Sequence, residues 1–294
     1  MIVYYAFGSG LGHLTRAQAV LHTLRLHDDV TLLSSSKFAG DPRVMGHCNV
    51  RQMPAEMILD PARTREWINR AIEDLQPSEF YIDAFPVGLV GEFADSGAPY
   101  GIPTIYVARL LRWDRYAKLL PENPRFVDKT LIVEPLTDDH QEFVDQCSRA
   151  QSRVELVDPP QLITRADLAR LDNLTAEPFW LVAHSAPPAE IYQLVTYAQE
   201  MQALERRCCR ILLATDTDVG RPLEGVTVVS MYPLAPLIDQ AERVITACGY
   251  NSMRQLAPYA KKHRFLPFER RFDDQFLRAA RRLHANNAQL VGTH

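Results

Sequence analysis

A histidine closes a glycine-rich run near the start of the chain, Gly8-Ser9-Gly10-Leu11-Gly12-His13, with Thr15 and Arg16 directly behind it. An imidazole with an ordinary pKa of about 6.5 takes a proton from a hydroxyl at neutral pH, which makes His13 a candidate general base. The plainer reading is that it caps or packs the turn. Glycines at this spacing let backbone amides approach an anion where a turn opens a helix. The spacing is GxGxGH, so His13 stands where a dinucleotide fingerprint needs its last glycine, and no P-loop lysine follows. Both nucleotide motifs, and with them a nicotinamide oxidoreductase, are disfavoured.

The densest constellation lies in the second half, in three runs that each follow a strand-like segment. The first holds Met231, Tyr232, Pro233 and Leu234; the second holds Gly249, Tyr250, Asn251 and Ser252; the third is Pro267-Phe268-Glu269-Arg270-Arg271-Phe272-Asp273-Asp274-Gln275, followed by Arg278-Ala279. Gly249 permits a tight strand-to-helix turn, and Asn251 and Ser252 are N-cap types whose side chains and neighbouring amides can bind a diphosphate. Asp274 and Gln275 combine an acceptor-only side chain with a mixed donor and acceptor, a pairing that brackets sugar hydroxyls. Each of these, taken singly, also reads as a helix cap. Asp216-Thr217-Asp218 is formally a DxD, but it lies in a polar stretch before Gly220 and reads as turn chemistry, so no metal is expected.

The elements that must position these residues alternate between strand and helix. Residues 2–7 read as a strand that runs into the glycine turn and then a helix over 15–26; further strands are predicted at 30–33, 80–83, 104–108, 130–133 and 154–157, with a helix over 61–75. After a break around Pro159-Pro160, the pattern restarts with strands at 179–183, 211–214, 226–229 and 244–246. Helices are predicted near 190–207, 234–240, 252–259 and 274–283. The expected domains are 1–158, a linker at 159–177 and a second domain at 178–294. Such alternation implies parallel sheets covered on both faces, with ligands at the carboxyl ends of strands.

Composition agrees with this class. With 47% hydrophobic and 23% charged residues in 294, the chain is neither disordered nor fibrous. A formal charge of −4 supplies no basic field for nucleic acid. No run spans a bilayer, no leader pattern opens the sequence, and five cysteines without a CxxC pair fit reduced thiols, so the reading is a cytoplasmic protein.

In order and spacing the motifs are specific. The series GxGxGHxTRA, YPxxxxI, AxGYNSxxxL and PFERxxDDQxxRA resembles the GT-B nucleotide-sugar glycosyltransferases related to the peptidoglycan N-acetylglucosaminyltransferase. The likeness extends to Asp83-Ala84-Phe85-Pro86-x-Gly88 and Glu92, and to His184-Ser185 with Glu190. It implies two Rossmann-like, doubly wound domains facing each other across a cleft, the first binding an acceptor and the second a UDP-sugar. It places Gly249, Tyr250, Asn251 and Ser252 beside the diphosphate, the 231–234 loop beside the uracil, and Asp274 and Gln275 beside the sugar. Gly10, Gly12, Thr15 and Arg16 line the acceptor side around His13. The implied reaction is inverting, metal-independent transfer of a hexose or N-acetylhexosamine to a small-molecule, lipid-linked or glycan hydroxyl, with no cofactor beyond the donor. A non-catalytic relative that binds a nucleotide sugar or a partner is the alternative.

Four departures from the family pattern bear on that choice. Gln255 stands where relatives carry a glutamate on the ribose; Tyr259-Ala260-Lys261-Lys262-His263-Arg264 replaces a glycine-bearing loop; His184-Ser185-Ala186-Pro187-Pro188 lacks glycine; and the chain stops at Thr293-His294, where relatives continue. In the segment that opens on Arg109 and closes on Leu120, helical spacing puts Leu110, Trp113, Ala117 and Leu120 on one stripe beside Arg112, Arg115 and Lys118. That is the pattern of a helix leaning on anionic lipid at the inner face of a membrane, or packing on its own sheet.

Overall fold

The strands form where short β-branched and aromatic runs are bounded by polar turns, and in the computed structural model they assemble into two separate parallel sheets. Residues 1–8, 10–26, 29–46, 48–95, 101–161, 163–185 and 187–291 are described. Ser9 of the glycine run, Ala186 of the glycine-free turn and the 292–294 end lie outside them. The chain divides into two units: Met1–Pro160 with Arg271–Asp273, and Gln161–Arg270 with the chain from Asp274 onward.

Unit 1 holds β1 (Ile2–Ala6), α1 (Leu11–Leu24), β2 (Val30–Ser34), α2 (Pro42–Met45), β3 (Asn49–Gln52), α3 (Pro61–Leu75), β4 (Glu79–Asp83), β5 (Thr104–Ala108), α4 (Trp113–Tyr116), β6 (Lys129–Ile132), α5 (Asp138–Cys147) and β7 (Gln151–Arg153). Its strand order is β3-β2-β1-β4-β5-β6-β7, all parallel, with Ile2 opposite Val30 on one side and Glu79 on the other. Chain order therefore reverses between β1 and β4, the position where open α/β sheets bind ligands at the carboxyl edge. Successive residues of β1 and β4 are buried on both faces, Val3, Tyr5, Phe80 and Ile82 against Ile68 and Ile72 of α3. That double burial is why these strands read as continuous apolar runs rather than alternating ones.

Unit 2 repeats the grammar with α6 (Arg165–Thr175), β8 (Phe179–Ala183), α7 (Pro188–Leu204), β9 (Arg210–Ala214), β10 (Val226–Val229), α8 (Ala235–Gln240), β11 (Arg243–Ala247), α9 (Tyr250–Gln255), β12 (His263–Leu266) and α10 (Gln275–Val291). The order β10-β9-β8-β11-β12 is again parallel and reverses between β8 and β11. Trp180 and Val182 pack on Ile191, Leu194 and Val195 of α7, while Phe179 and Leu181 pack on Leu237 of α8 on the other face.

Three expectations need correction. The helix after β1 starts at Leu11 rather than residue 15, because Gly10 already serves as its N-cap in extended conformation. Gly12 and His13 are thus residues of α1, with Thr15 and Arg16, and not of the turn before it. The strand expected over 154–157 is instead β7, three residues earlier: polar Gln151-Ser152-Arg153 pairs with β6 at the edge, where little burial is required. Finally, residues 109–120 are not one helix. Leu111 pairs across a β-bridge with Asp273, α4 spans four residues, and a 3-10 turn covers Ala117–Leu119. Of the predicted stripe, Leu110 is fully buried, Trp113 is buried in unit 1 with Ala84, Phe85, Leu111, Tyr116 and Phe272, and half-buried Ala117 and Leu120 pack against that cluster, so the stripe faces the core. Among the described residues no helix is long and apolar enough to cross a membrane.

Candidate functional site

In unit 1 the site grows from the carboxyl ends of β1 and β4. Asp83 is the last residue of β4 and fully buried; His13 and Arg16, one turn apart on α1, converge on it. His13 Nδ1 lies 2.6 Å from Asp83 Oδ2. Arg16 donates from Nε to Oδ1 and from Nη2 to Oδ2, each at 2.6 Å. The spacing i, i+3 is what brings both side chains to one face of the helix.

The next residue, Ala84, has φ of +71°, a left-handed conformation unusual for a side chain other than glycine, and Tyr106 donates its hydroxyl to the Ala84 carbonyl at 3.2 Å. Strain of this kind persists where surrounding structure over-determines it, and here it sits beside the carboxylate. Phe85 then packs its ring 5.9 Å from that of His13. On the other side the backbone of Gly8 meets the imidazole: a Cβ there would overlap Cδ2 and come within 2.8 Å of Nε2. Gly8 is needed for the space that His13 fills.

The electrostatics follow from this packing. Burial alone would raise the Asp83 pKa, but the Arg16 charge and the hydrogen bonds from His13 and Arg16 outweigh it and hold the carboxyl well below the usual range. Asp83 is an anion whose hydrogen bond fixes the His13 tautomer with the proton on Nδ1. Burial lowers the His13 pKa, the Asp83 bond and charge oppose that, and Arg16 and Arg109 reinforce it, for a net decrease. The ring is therefore neutral at pH 7, and Nε2 has no partner among the described residues. An oriented neutral imidazole with a free lone pair is a proton acceptor. Arg16, expected beside the acceptor, is instead a buried partner of Asp83.

The predicted runs follow the carboxyl ends of β10, β11 and β12, with Arg271–Asp273 of the third run belonging to unit 1. Gly249, after β11, is the N-cap of α9, so Asn251 and Ser252 are residues of its first turn and not caps. Tyr250 is buried, and Gln255 ends the helix with a side chain that makes no hydrogen bond among the described residues. Buried Arg278 of α10 donates to the Cys248 carbonyl at 2.8 Å and so ties α10 to the Gly249 turn. Asp274 caps α10, accepting from Leu277 N at 2.9 Å. Gln275 is buried and its Oε1 accepts from Phe268 N at 3.0 Å, which commits the oxygen expected to face a sugar. After β10, Met231 and Leu234 pack against the unit 2 core, with a cis peptide between Tyr232 and Pro233.

The remaining departures are placed as well. Residues 259–264 precede or begin β12, the edge opposite the Gly249 turn. Lys262 Nζ is taken by carbonyls of Ile238, Asp239 and Ala241 at the end of α8. Asp216 accepts from Ser230 Oγ and Asp218 from Gly220 N, the hydrogen bonds of a turn. Among the described residues no three His, Cys, Asp or Glu side chains converge as metal ligands.

Sequence reasoning missed Asp83 as a site residue although its motif was noted. The available signal was a lone carboxylate ending an otherwise apolar parallel strand, Glu79-Phe80-Tyr81-Ile82-Asp83, which a buried position tolerates only with a charge partner.

No family model matches the chain, and no curated protein does either. Solved structures do. The glycotransferase of kitacinnamycin superposes with a TM-score of 0.60 at 16% identity, covering 96% of this chain and 83% of that one. The spinosyn rhamnosyltransferase gives 0.60 at 14%, over 97% and 84%. The Streptomyces sp. SF2575 glycosyltransferase SsfS6, complexed with thymidine diphosphate, gives 0.57 at 14%, over 97% and 85%. The chain has the GT-B fold. At these identities the likeness concerns architecture: two parallel α/β sheets of seven and five strands in one chain, the GT-B plan reached with few shared residues.

Proposed function

We propose that the protein is an inverting, metal-independent glycosyltransferase that moves a hexose or N-acetylhexosamine from a UDP-sugar to a hydroxyl acceptor. One observation carries this reading: His13 is held by Asp83 through Nδ1 and keeps Nε2 open. The GT-B fold and the resemblance of the GYNS and DDQ runs to nucleotide-sugar enzymes related to the peptidoglycan N-acetylglucosaminyltransferase supply the substrate class.

In this mechanism Nε2 of His13 takes the proton of the acceptor hydroxyl as its oxygen attacks the anomeric carbon. The bond from that carbon to the diphosphate oxygen breaks, and UDP leaves with the electron pair. A single displacement inverts the configuration. Asp83 stays ionised throughout and stabilises the imidazolium. The charge on UDP is met by amides of the 249–252 turn, whose base Arg278 holds. The acceptor is a small molecule, lipid-linked sugar or glycan, and the reaction is cytoplasmic.

A second reading, a nucleotide-sugar-binding relative without transfer activity, is favoured by two observations in unit 2. Gln255 replaces a carboxylate, and Gln275 spends its amide oxygen on Phe268. Calorimetry with UDP, UDP-GlcNAc, UDP-glucose and dTDP-glucose, followed by donor hydrolysis and transfer assays on the tightest binder, separates the two. Binding with His13-dependent turnover supports the enzyme; binding without turnover supports the second reading; failure of all four to bind removes both.

A further inference from the structure

The third run of the sequence carries two residues that the mechanism above does not use, Phe272 and Asp273. They lie between β12 and α10 in the chain, yet with Arg271 they belong to unit 1. Backbone bonds hold this strap to the segment that leaves β5. Asp273 pairs with Leu111 across an antiparallel bridge, and Arg112 N donates to the Phe272 carbonyl at 2.7 Å. The side chains are committed as well. Phe272 is buried, with its ring edge-on to those of Phe85 at 5.9 Å and Tyr116 at 5.1 Å. Asp273 accepts from Nη1 of Arg109, which also donates to the Leu110 carbonyl at 3.1 Å. The paired Arg109 and Asp273 side chains are 7% and 17% exposed.

Both contacts lead to the candidate base. The Phe85 ring lies 5.9 Å from the His13 ring and 5.8 Å from the Arg109 guanidinium, and it is packed further by Tyr116 and Phe272. A ring held by this many neighbours has little room to swing, so it gives the imidazole a fixed wall. Arg109 adds charge. It acts on His13 together with Asp83 at the end of β4 and Arg16 on α1, while Tyr4 of β1, which donates to Asp83 at 3.4 Å, is a neutral phenol. Burial is the first cause of the lowered His13 pKa; Asp83 opposes it, and Arg16 and Arg109 add to it. Arg16 shares its carboxylate with the imidazole, whereas Arg109 is paired with Asp273 of the strap. So little water reaches that pair that its charges are weakly screened.

We propose that Phe272 and Asp273 are positioning residues for His13: Phe272 fixes the Phe85 ring that walls the imidazole, and Asp273 anchors the Arg109 guanidinium and offsets its charge. The step they serve, removal of the proton from an acceptor hydroxyl, rests on the glycosyltransferase reading; the placement of His13 does not. Removing the carboxylate leaves the cation uncompensated and disfavours the imidazolium, whereas removing the cation favours it. Two residues of a run whose resemblance points to the donor thus act on the base in unit 1. Asp274, the cap of α10, follows them directly.

The test follows the His13 Cε1–H resonance of the full chain by NMR as a function of pH, with kcat, KM and UDP titration beside it. In Asp273→Asn the His13 midpoint is expected to fall by about half a pH unit or more, and in Arg109→Met to rise by as much. The double variant should match Arg109→Met, since Asp273 acts through that guanidinium. The acid limb of kcat/KM moves with the midpoint in each. Phe272→Ala is expected to lower kcat about tenfold with UDP affinity unchanged within about twofold, and Phe272→Leu, which refills part of the space, to recover most of it. A merely structural strap would lower the urea midpoint and leave the His13 midpoint where it is. That result overturns the proposal, as does a double variant that differs from Arg109→Met, wild-type kcat in Phe272→Ala, or lost UDP affinity in Asp273→Asn with an unmoved midpoint. Should Arg109→Met not fold, the Asp273→Asn shift alone decides. Opposed midpoint shifts in a chain that transfers no sugar keep the positioning of His13 and remove the glycosyltransferase reading. Sugar transfer with unmoved midpoints does the reverse.

Discussion

Asp83 accepts from His13 Nδ1 and from Arg16 at the same carboxylate, and on the proposed function this sharing separates the proton transfer from the stability of unit 1. The histidine needs Asp83 for its tautomer, while the arginine needs it for charge. Removing the imidazole leaves the Arg16 ion pair intact, whereas removing the carboxylate leaves a buried guanidinium without its anion.

His13→Ala is therefore expected to lower transfer by about 10²- to 10⁴-fold with UDP affinity unchanged within about twofold. Asp83→Asn is expected to lose activity and also about 3–5 kcal/mol of stability. Steady-state kinetics, UDP titration and urea unfolding of the two variants check this. The acid limb of kcat/KM should fall below pH about 6.5, since burial lowers the His13 pKa and activity is lost as the base protonates. A His13→Ala variant with wild-type turnover would return His13 to a packing role.

Gly8→Ala probes the same ring from its other side. The added Cβ would overlap Cδ2 of His13, so the imidazole must turn away from Asp83 or the turn must shift. The φ of Gly8 is not left-handed, so the backbone itself tolerates alanine. Turnover is expected to drop at least about tenfold, because small misplacements of a catalytic group are costly. UDP affinity should not change. Unaltered kcat would show that the ring has room the packing does not suggest.

Much of the architecture was legible because it rests on local signals. Residues 61–75 carry a helical stripe after a Pro at the first helical position, and α3 spans Pro61–Leu75 with Asp60 as its cap. The βα alternation gave two parallel sheets, since a short apolar run followed by an amphipathic helix has few other ways to bury both faces. What pattern could not supply was pairing across long separations. Asp83 and His13 are 70 residues apart, Glu190 and Arg270 are 80 apart, and nothing in the composition of either segment names its partner. Residues 109–120 were misread for a related reason: their helical stripe is real, but Leu111 is claimed by Asp273 across the chain, and a tertiary bridge overrides local propensity.

Gln255 offers a test of the donor assignment. Its amide makes no hydrogen bond among the described residues, so replacing it breaks none of them. If it faces ribose hydroxyls, Gln255→Glu substitutes a charge-assisted acceptor and is expected to tighten UDP by about 5- to 10-fold, with little change in urea midpoint. A Kd that stays at the wild-type value places Gln255 away from the ribose.

Stability should fall in mild acid for a reason remote from the site. His140 on α5 is fully buried, stacked 3.9 Å from Trp113, with Nε2 3.0 Å from the Tyr106 hydroxyl and no hydrogen-bond partner for Nδ1 among the described residues. Burial, helped by the Arg109 charge, lowers its pKa from 6.5 to about 3. Between these values the unfolded chain binds a proton that the folded chain refuses, so stability rises with pH across that window and is lost as pH falls through it. From pH about 7.5 to about 4.5 the loss from this one group is about 2–3 kcal/mol. His140→Phe keeps a ring against Trp113, and Tyr106 still donates to the Ala84 carbonyl, but the titration is gone. Urea unfolding of both proteins across this range should show the wild type losing stability faster, and parallel curves would mean that the buried imidazole is not the group that titrates.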